Sequence, residues 1–228
     1  MNRKIQFLIL GVILLLPAFI FIFLHVAGRN VYRVPEVNPF DSLNILNPQN
    51  INCPDYRVNG VHRIPPFRLL NQDSVEVSEE IVKGKIYVAA FFFTRCGNIC
   101  LDMSRQMYRL QETFKNYPDV LLLSYSVDPE FDRPKVLKMY SEKYQADPNK
   151  WIFLTGNKDS IYELARCGYY VVAKPYENRP NDFIHSDKLV LVDKQKRIRG
   201  YYSGTLREDV DRLITEIQVL MREQQKPL

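Results

Sequence analysis

The sequence predicts an α/β domain, in which helices cover both faces of a sheet, behind an N-terminal membrane anchor. Short apolar runs rich in β-branched and aromatic residues alternate with segments whose apolar residues recur every three or four positions. Runs of the first kind are typical of buried strands, and segments of the second kind are typical of amphipathic helices. Their order, β-α-β-α-β-α-β-β-α, predicts a layered sheet with helices on both faces.

The chain begins with a positively charged tip and a long apolar run. Arg3 and Lys4 precede the run Ile5–Gly28, in which Gln6 and His25 are the polar residues. Such a run matches the ~20 residues needed to span a bilayer and exceeds the roughly 7–15 residues of a signal-peptide core. We therefore expect residues 1–28 to be a single-pass anchor in the cell inner membrane, with the remaining chain on the periplasmic or outer face.

The residues after the anchor divide into a tether and one domain. A cleaved signal sequence is the alternative to a retained anchor, because Val26-Ala27-Gly28 offers small residues near a cleavage point. Residues 29–52 contain several prolines and asparagines with little periodicity, which predicts a tether. Residues 53–228 have the length of one domain. The net charge of +5 is diluted along the chain, which argues against a nucleic-acid partner.

Composition and spacing place the individual elements of this domain. The predicted strands are a hairpin of Phe67–Leu70 and Val75–Val77, the buried strands Ile86–Phe93, Val120–Val127 and Trp151–Leu154, and a second hairpin of Leu189–Val192 and Arg197–Tyr202. Four helices are predicted. The first carries Met103 to Phe114, the second begins at Pro134, the third includes Ile161 with Ala165, and the fourth begins near Leu206.

Two cysteines, Cys96 and Cys100, lie between the first central strand and the following helix. Backbone N–H groups and the helix dipole favour negative charge at a helix N-terminus, so we expect thiols of lowered pKa. Residues four apart on a helix have Cβ atoms about 5–6 Å apart, whereas a disulfide prefers about 3.8 Å. The pair is therefore better spaced to hold a metal ion between two sulfurs. A cysteine motif at the end of such a strand predicts a thioredoxin-like fold.

His185 is the candidate third metal ligand. It precedes the predicted strand Leu189–Val192, which we expect to lie beside the strand that ends near Cys96. An imidazole next to two thiolates is a typical ligand set for a soft metal. The other histidines are His25 in the anchor and His62 near the tether.

At these residues the chain resembles the Sco/SenC family of copper chaperones for cytochrome c oxidase assembly. The matching segments are Phe91–Cys96 with Cys100, Ser126–Glu130, Trp151–Gly156 and Ile184–Ser186. The resemblance implies a thioredoxin-like fold, a membrane anchor, and delivery of copper to the dinuclear copper A site, with the copper-site subunit of the oxidase as partner.

The same resemblance implies that Cys96, Cys100 and His185 bind the copper. The family motif usually reads C-P-x-x-C-P, and Gly97 and Leu101 replace its two prolines here. The family also often carries aspartate directly before the histidine, where this chain has Ile184. None of these changes removes a ligand.

Two other functions remain open beside the copper chaperone. A thiol–disulfide oxidoreductase acting on cysteines of the oxidase copper site would use the same two thiols. The C-x-x-x-C spacing, and a segment without proline between Asn181 and Val192, favour the chaperone over that enzyme. A peroxidase is favoured less: Asp128 faces the expected site, but no cysteine has a Thr-x-x-Cys context. Zn²⁺ could occupy the same Cys₂His set.

Cys53 and Cys167 are the remaining cysteines. Outside the cytoplasm a leftover pair often forms a disulfide. Sequence alone does not establish that two cysteines are close, so a disulfide and two separate thiols both stay open.

Overall fold

The computed structural model describes residues 2–27, 32–37, 53–97, 99–171 and 187–224. The chain forms two units, Met1–Arg33 and Val34–Leu228. The first unit contains helix α1 (Arg3–Ala27), whose stretch Arg3–Phe23 has a mean hydropathy of 2.8, and none of the side chains described in this stretch is buried. By length and composition this helix could cross a membrane, as the sequence predicts.

The second unit is built on a sheet of seven strands, beside a separate hairpin of β1 (Arg57–Val58) and β2 (Val61–His62). The sheet strands are β3 (Arg68–Asn71), β4 (Glu76–Ser78), β5 (Ile86–Phe92), β6 (Val120–Ser126), β7 (Trp151–Thr155), β8 (Lys188–Val192) and β9 (Ile198–Ser203). They lie in the order β4-β3-β7-β6-β5-β8-β9.

The three central strands β5, β6 and β7 are parallel, and β8 runs antiparallel to β5. Every residue of β5 and β6 is buried, because helices cover both faces of a sheet with parallel central strands. The register pairs Phe92 with Ser126 and Ala90 with Leu189. The end of β5, the end of β6 and the start of β8 therefore lie next to one another, at the same end of these strands.

The described residues of this unit form four α-helices. They are α2 (Ile99–Phe114), α3 (Pro134–Lys143), α4 (Lys158–Glu163) and α5 (Arg207–Glu223). The predicted apolar stripe of α2 is confirmed, since Met103, Met107, Leu110 and Phe114 are all buried. Helix α4 continues into a π-helical turn, Leu164–Gly168, which the sequence did not predict.

Both predicted hairpins are present, with a difference in extent. The outer strand of the second hairpin begins at Ile198 rather than Arg197. The first hairpin, β3 and β4, is part of the main sheet, because β3 pairs with β7 through Leu70 and Thr155.

A short segment at the start of the second unit packs against β9. Val34 is buried, and its N–H donates to the Glu223 carboxylate at 2.9 Å. The N–H of Val37 donates to the Ile198 carbonyl at 2.9 Å. The guanidinium of Arg199 donates to the carbonyls of Val34 and Pro35. Residues 34–37 fall within the predicted tether, yet in the structure they are bound to the domain.

Cys53 and Cys167 form a disulfide, which decides between the two possibilities left open by the sequence. Their Cα atoms are 5.5 Å apart although the residues are separated by 114 positions. The bond ties the start of the sheet-bearing chain to the π-helical turn.

Candidate metal centre

The structure places Cys96 and Cys100 where the sequence predicts them. Strand β5 ends at Phe92 and helix α2 begins at Ile99, so Cys96 lies in the connecting loop and Cys100 in the first turn of the helix. Cys96 is half-buried, whereas only 5% of Cys100 is exposed. Both remain thiols. One sulfur therefore faces the surface and the other faces the core.

The two thiols are within hydrogen-bonding contact of each other. Burial raises the pKa of the Cys100 thiol to about 12. A hydrogen bond with the Phe93 backbone lowers this pKa, but the neighbouring Cys96 and the Asp132 carboxylate raise it further. The expectation of a lowered thiol pKa is thus wrong for Cys100, because loss of water outweighs the helix N-terminus. Without metal the buried cysteine is a neutral thiol.

A buried carboxylate holds the chain just before Cys96. Asp132 has no exposed surface, and it accepts hydrogen bonds from the Thr94 N–H at 2.9 Å and the Ser126 hydroxyl at 2.6 Å. It also accepts one from the Thr94 hydroxyl. Because β6 is the parallel neighbour of β5, residues that follow β6 reach the cysteine loop. Asp132 thereby fixes the residue two positions before Cys96.

A second carboxylate from the same loop holds Arg95. The Asp128 side chain accepts from Arg95 Nε at 3.1 Å and from its Nη2 at 2.5 Å. The guanidinium also lies 4.4 Å from the centre of the Phe131 ring. The sequence analysis placed Asp128 near the site but did not find Asp132 or the Arg95 contact. The available signal was the pair of acids four residues apart, Asp128 and Asp132, directly after the predicted strand Val120–Val127.

Tyr140 lies near the inner thiol, Cys100. Tyr140 interacts electrostatically with Cys100, and its hydroxyl is 2.9 Å from the Ser104 hydroxyl. The Tyr140 ring lies 5.3 Å from the Phe92 ring, measured between centroids. This packing excludes water from one side of the thiol pair.

His185 lies outside the described residues, which resume at Asp187. The predicted neighbour relation is confirmed, since β8 pairs with β5 and begins at the cysteine end of that strand. The Asp187 carboxylate accepts from the Ser203 hydroxyl at 2.5 Å and pairs with Lys188 at 3.2 Å. Within the described part of the chain, no group of three histidine, cysteine or carboxylate side chains could hold a metal ion.

Comparisons with known proteins identify relatives of this chain. A family model described as SCO1/SenC matches residues 59–222, a range that includes all three candidate ligands. The SCO1 protein homolog of Bacillus subtilis (strain 168) is 35% identical over 159 residues, which cover 69% of this chain and 82% of that protein.

Two solved structures resemble the fold. BsSco, described as a member of the Sco family of cytochrome c oxidase assembly proteins with a disulfide switch, is 34% identical with a TM-score of 0.60. The match covers 69% of this chain and 92% of BsSco. Arabidopsis thaliana ScoI, solved with copper bound, is 29% identical with a TM-score of 0.57, covering 70% and 98% of the two chains. The likeness confirms the predicted thioredoxin-like α/β fold.

Proposed function

Because the chain belongs to the SCO1/SenC family, we propose that it binds copper through Cys96, Cys100 and His185 and delivers it to the dinuclear copper A site of cytochrome c oxidase. The observation that carries this proposal is the contact between the two thiols at the end of β5. Paired sulfurs are the soft donors that Cu(I) prefers. Copper is the cargo of this protein.

The exposure of the two sulfurs suits a transfer protein. Buried Cys100 lies on the dry side of the pair, while half-buried Cys96 is reachable from outside. Copper binding must displace the thiol protons, because thiolates are the ligands. With His185 as third donor the coordination number stays low. A thiolate of an acceptor protein can then enter and take the metal from the exposed side.

The relatives support copper as the cargo and cytochrome c oxidase as the protein that receives it. Copper is bound in the ScoI structure, and BsSco belongs to a family of cytochrome c oxidase assembly proteins. By extension, the partner of this chain is the copper-site subunit of the oxidase. The Cys₂His set would pass copper between thiolate-rich sites without changing the ligand class.

The apolar helix α1 supports a location at the membrane. We propose that residues 1–28 anchor the chain in the inner membrane, with the domain on the periplasmic or outer face. The native protein should then stay with membranes after a high-salt wash. Release into the soluble periplasmic fraction, with a new N-terminus near Arg29, would show a cleaved signal sequence instead.

A second candidate function is reduction of the oxidase cysteines before copper enters. The contact between the Cys96 and Cys100 thiols favours it, since such a pair can close a disulfide. In that reaction the substrate disulfide is broken, a Cys96–Cys100 disulfide forms, and two electrons with two protons pass to the substrate sulfurs. The disulfide switch described for BsSco is in keeping with this chemistry.

The substitution His185→Ala separates the two candidates, because thiol exchange needs only the cysteines. The measurement is copper content and activity of the oxidase in cells grown at limiting copper, where metal cannot load the site unaided. Copper transfer predicts that both His185→Ala and Cys96→Ser cells lack metallated oxidase. Fully metallated oxidase in His185→Ala cells, with its loss in Cys96→Ser cells, would instead establish the reductase.

A further inference from the structure

Asp187 directly precedes strand β8, and residues at the end of the neighbouring strand β9 hold it in place. The register pairs Lys188 of β8 with Ser203 of β9, and just beyond this pair the Gly204 N–H donates to the Asp187 carbonyl at 2.6 Å. The Ser203 hydroxyl donates to the Asp187 carboxylate at 2.5 Å. Both the backbone and the side chain of Asp187 are therefore held by two consecutive residues.

Ser203 is itself fixed on the last helix. Only 4% of Ser203 is exposed, and its N–H donates to the Asp209 carboxylate in the first turn of α5 at 2.8 Å. Asp209 also pairs with Arg212 at 3.1 Å. The Ser203 hydroxyl lies 2.9 Å from the hydroxyl of Thr205. This network orients Ser203 toward Asp187 before any metal is bound.

Gly204 brings Asp187 against the helix that carries Cys100. A Cβ at Gly204 would lie 3.0 Å from Met103 Cγ, 3.1 Å from the Asp187 carbonyl oxygen and 3.1 Å from Leu189 Cγ. These separations are shorter than ordinary van der Waals contact, so a side chain would push the neighbours apart. Met103 is buried and lies three residues after Cys100, on the same face of α2.

We propose that Ser203 and Gly204 are positioning residues of the copper site. They hold Asp187, which follows His185 by two residues in the sequence, against the helix that carries Cys100, and so limit where His185 can enter the Cys₂His site. This inference rests on the proposed function. Residues that orient a metal ligand typically change metal affinity by 10–100-fold, roughly, when they are replaced.

The test is copper binding by the full chain in nonionic detergent. Ser203→Ala and Gly204→Ala should each lower copper affinity about tenfold. They should also weaken the nitrogen coupling in the electron paramagnetic resonance spectrum of bound Cu(II). Ser203→Thr keeps the hydroxyl and should bind like the wild type. Ser141→Ala is the matched control, because Ser141 is equally buried but donates to Lys138 on α3.

A double-mutant cycle decides whether the two residues act through the histidine. In a His185→Ala background, Ser203→Ala and Gly204→Ala should cause no further loss of copper affinity. An equal loss in both backgrounds, or wild-type binding by both single variants, would overturn the positioning role. Unchanged binding by His185→Ala alone would instead remove the proposed ligand, and the positioning role with it.

Discussion

Asp132 has no exposed surface and accepts three hydrogen bonds, two from Thr94 and one from Ser126. Replacing it with asparagine places the amide NH₂, a hydrogen-bond donor, against the donors of Thr94 or Ser126, because an amide NH₂ cannot accept a hydrogen bond. We expect Asp132→Asn to lower the free energy of unfolding by about 1.5–3 kcal/mol, measured by denaturant titration. The exposed neighbour Glu130→Gln should change it by less than about 0.5 kcal/mol. Equal effects of the two substitutions would contradict the assigned role.

His62 predicts a pH dependence of stability. Burial lowers its pKa from the ordinary value of 6.5, although its bond to the Gly168 carbonyl at 2.7 Å opposes the shift. Below pH 6.5 the unfolded chain therefore binds a proton that the folded chain resists, so stability falls as the pH falls. The difference in melting temperature between the wild type and His62→Gln should shrink between pH 7.5 and 5.5, roughly the range that a histidine titrates. A constant difference would show that His62 does not titrate on unfolding.

The cysteines show which residue properties a sequence can predict. Their place between β5 and α2 follows from local patterns, namely an apolar run followed by helical spacing. The raised pKa of Cys100 does not, because it arises from burial against groups distant in sequence, such as Asp132. The Asp132–Thr94 contacts likewise join residues 38 positions apart.

At the scale of elements, the disulfide between Cys53 and Cys167 closes a loop with a sequence separation of 114. Cross-linking such a long loop removes much entropy from the unfolded chain. The double substitution Cys53→Ser, Cys167→Ser should lower the free energy of unfolding by about 2–5 kcal/mol.

A reductant supplies the control for this prediction. It should destabilise a Cys96→Ser, Cys100→Ser protein, which keeps the disulfide, but not the Cys53→Ser, Cys167→Ser protein. Equal stability of the wild type and the latter variant would mean that the bond adds nothing to the fold.

The strands and helices were predictable because periodicity is local. Of their partners, the sequence predicted that β8 lies beside β5, but it did not predict two other pairings. The stripe from Met103 to Phe114 repeats within one helix and needs no knowledge of the sheet. The pairing of β3 with β7 joins Leu70 to Thr155, and the packing of Val34–Val37 on β9 joins still more distant residues. Such contacts depend on how the sheet and the segments around it assemble, and no local sequence pattern predicts that assembly.

At the scale of the whole molecule, the proposed function draws on three parts that lie far apart in sequence. They are an apolar N-terminal helix that could cross a membrane, a thiol pair at the end of β5, and a histidine that precedes β8 in the sequence. The motif and its flanking segments indicated the family before the fold was known. The structure adds the hydrogen bonds from Ser203 and Gly204 to Asp187, which depend on residues at and just after the end of β9 that carry no motif of their own.

Copper stoichiometry tests the central claim most directly. The reduced full chain in nonionic detergent, loaded anaerobically with Cu(I), should bind one copper per chain. Cys96→Ser and Cys100→Ser should lose this copper, and His185→Ala should bind it more weakly, because each removes a ligand. Cys53→Ser with Cys167→Ser is the matched cysteine control and should keep one copper. Full copper in all three ligand variants would contradict the assigned site.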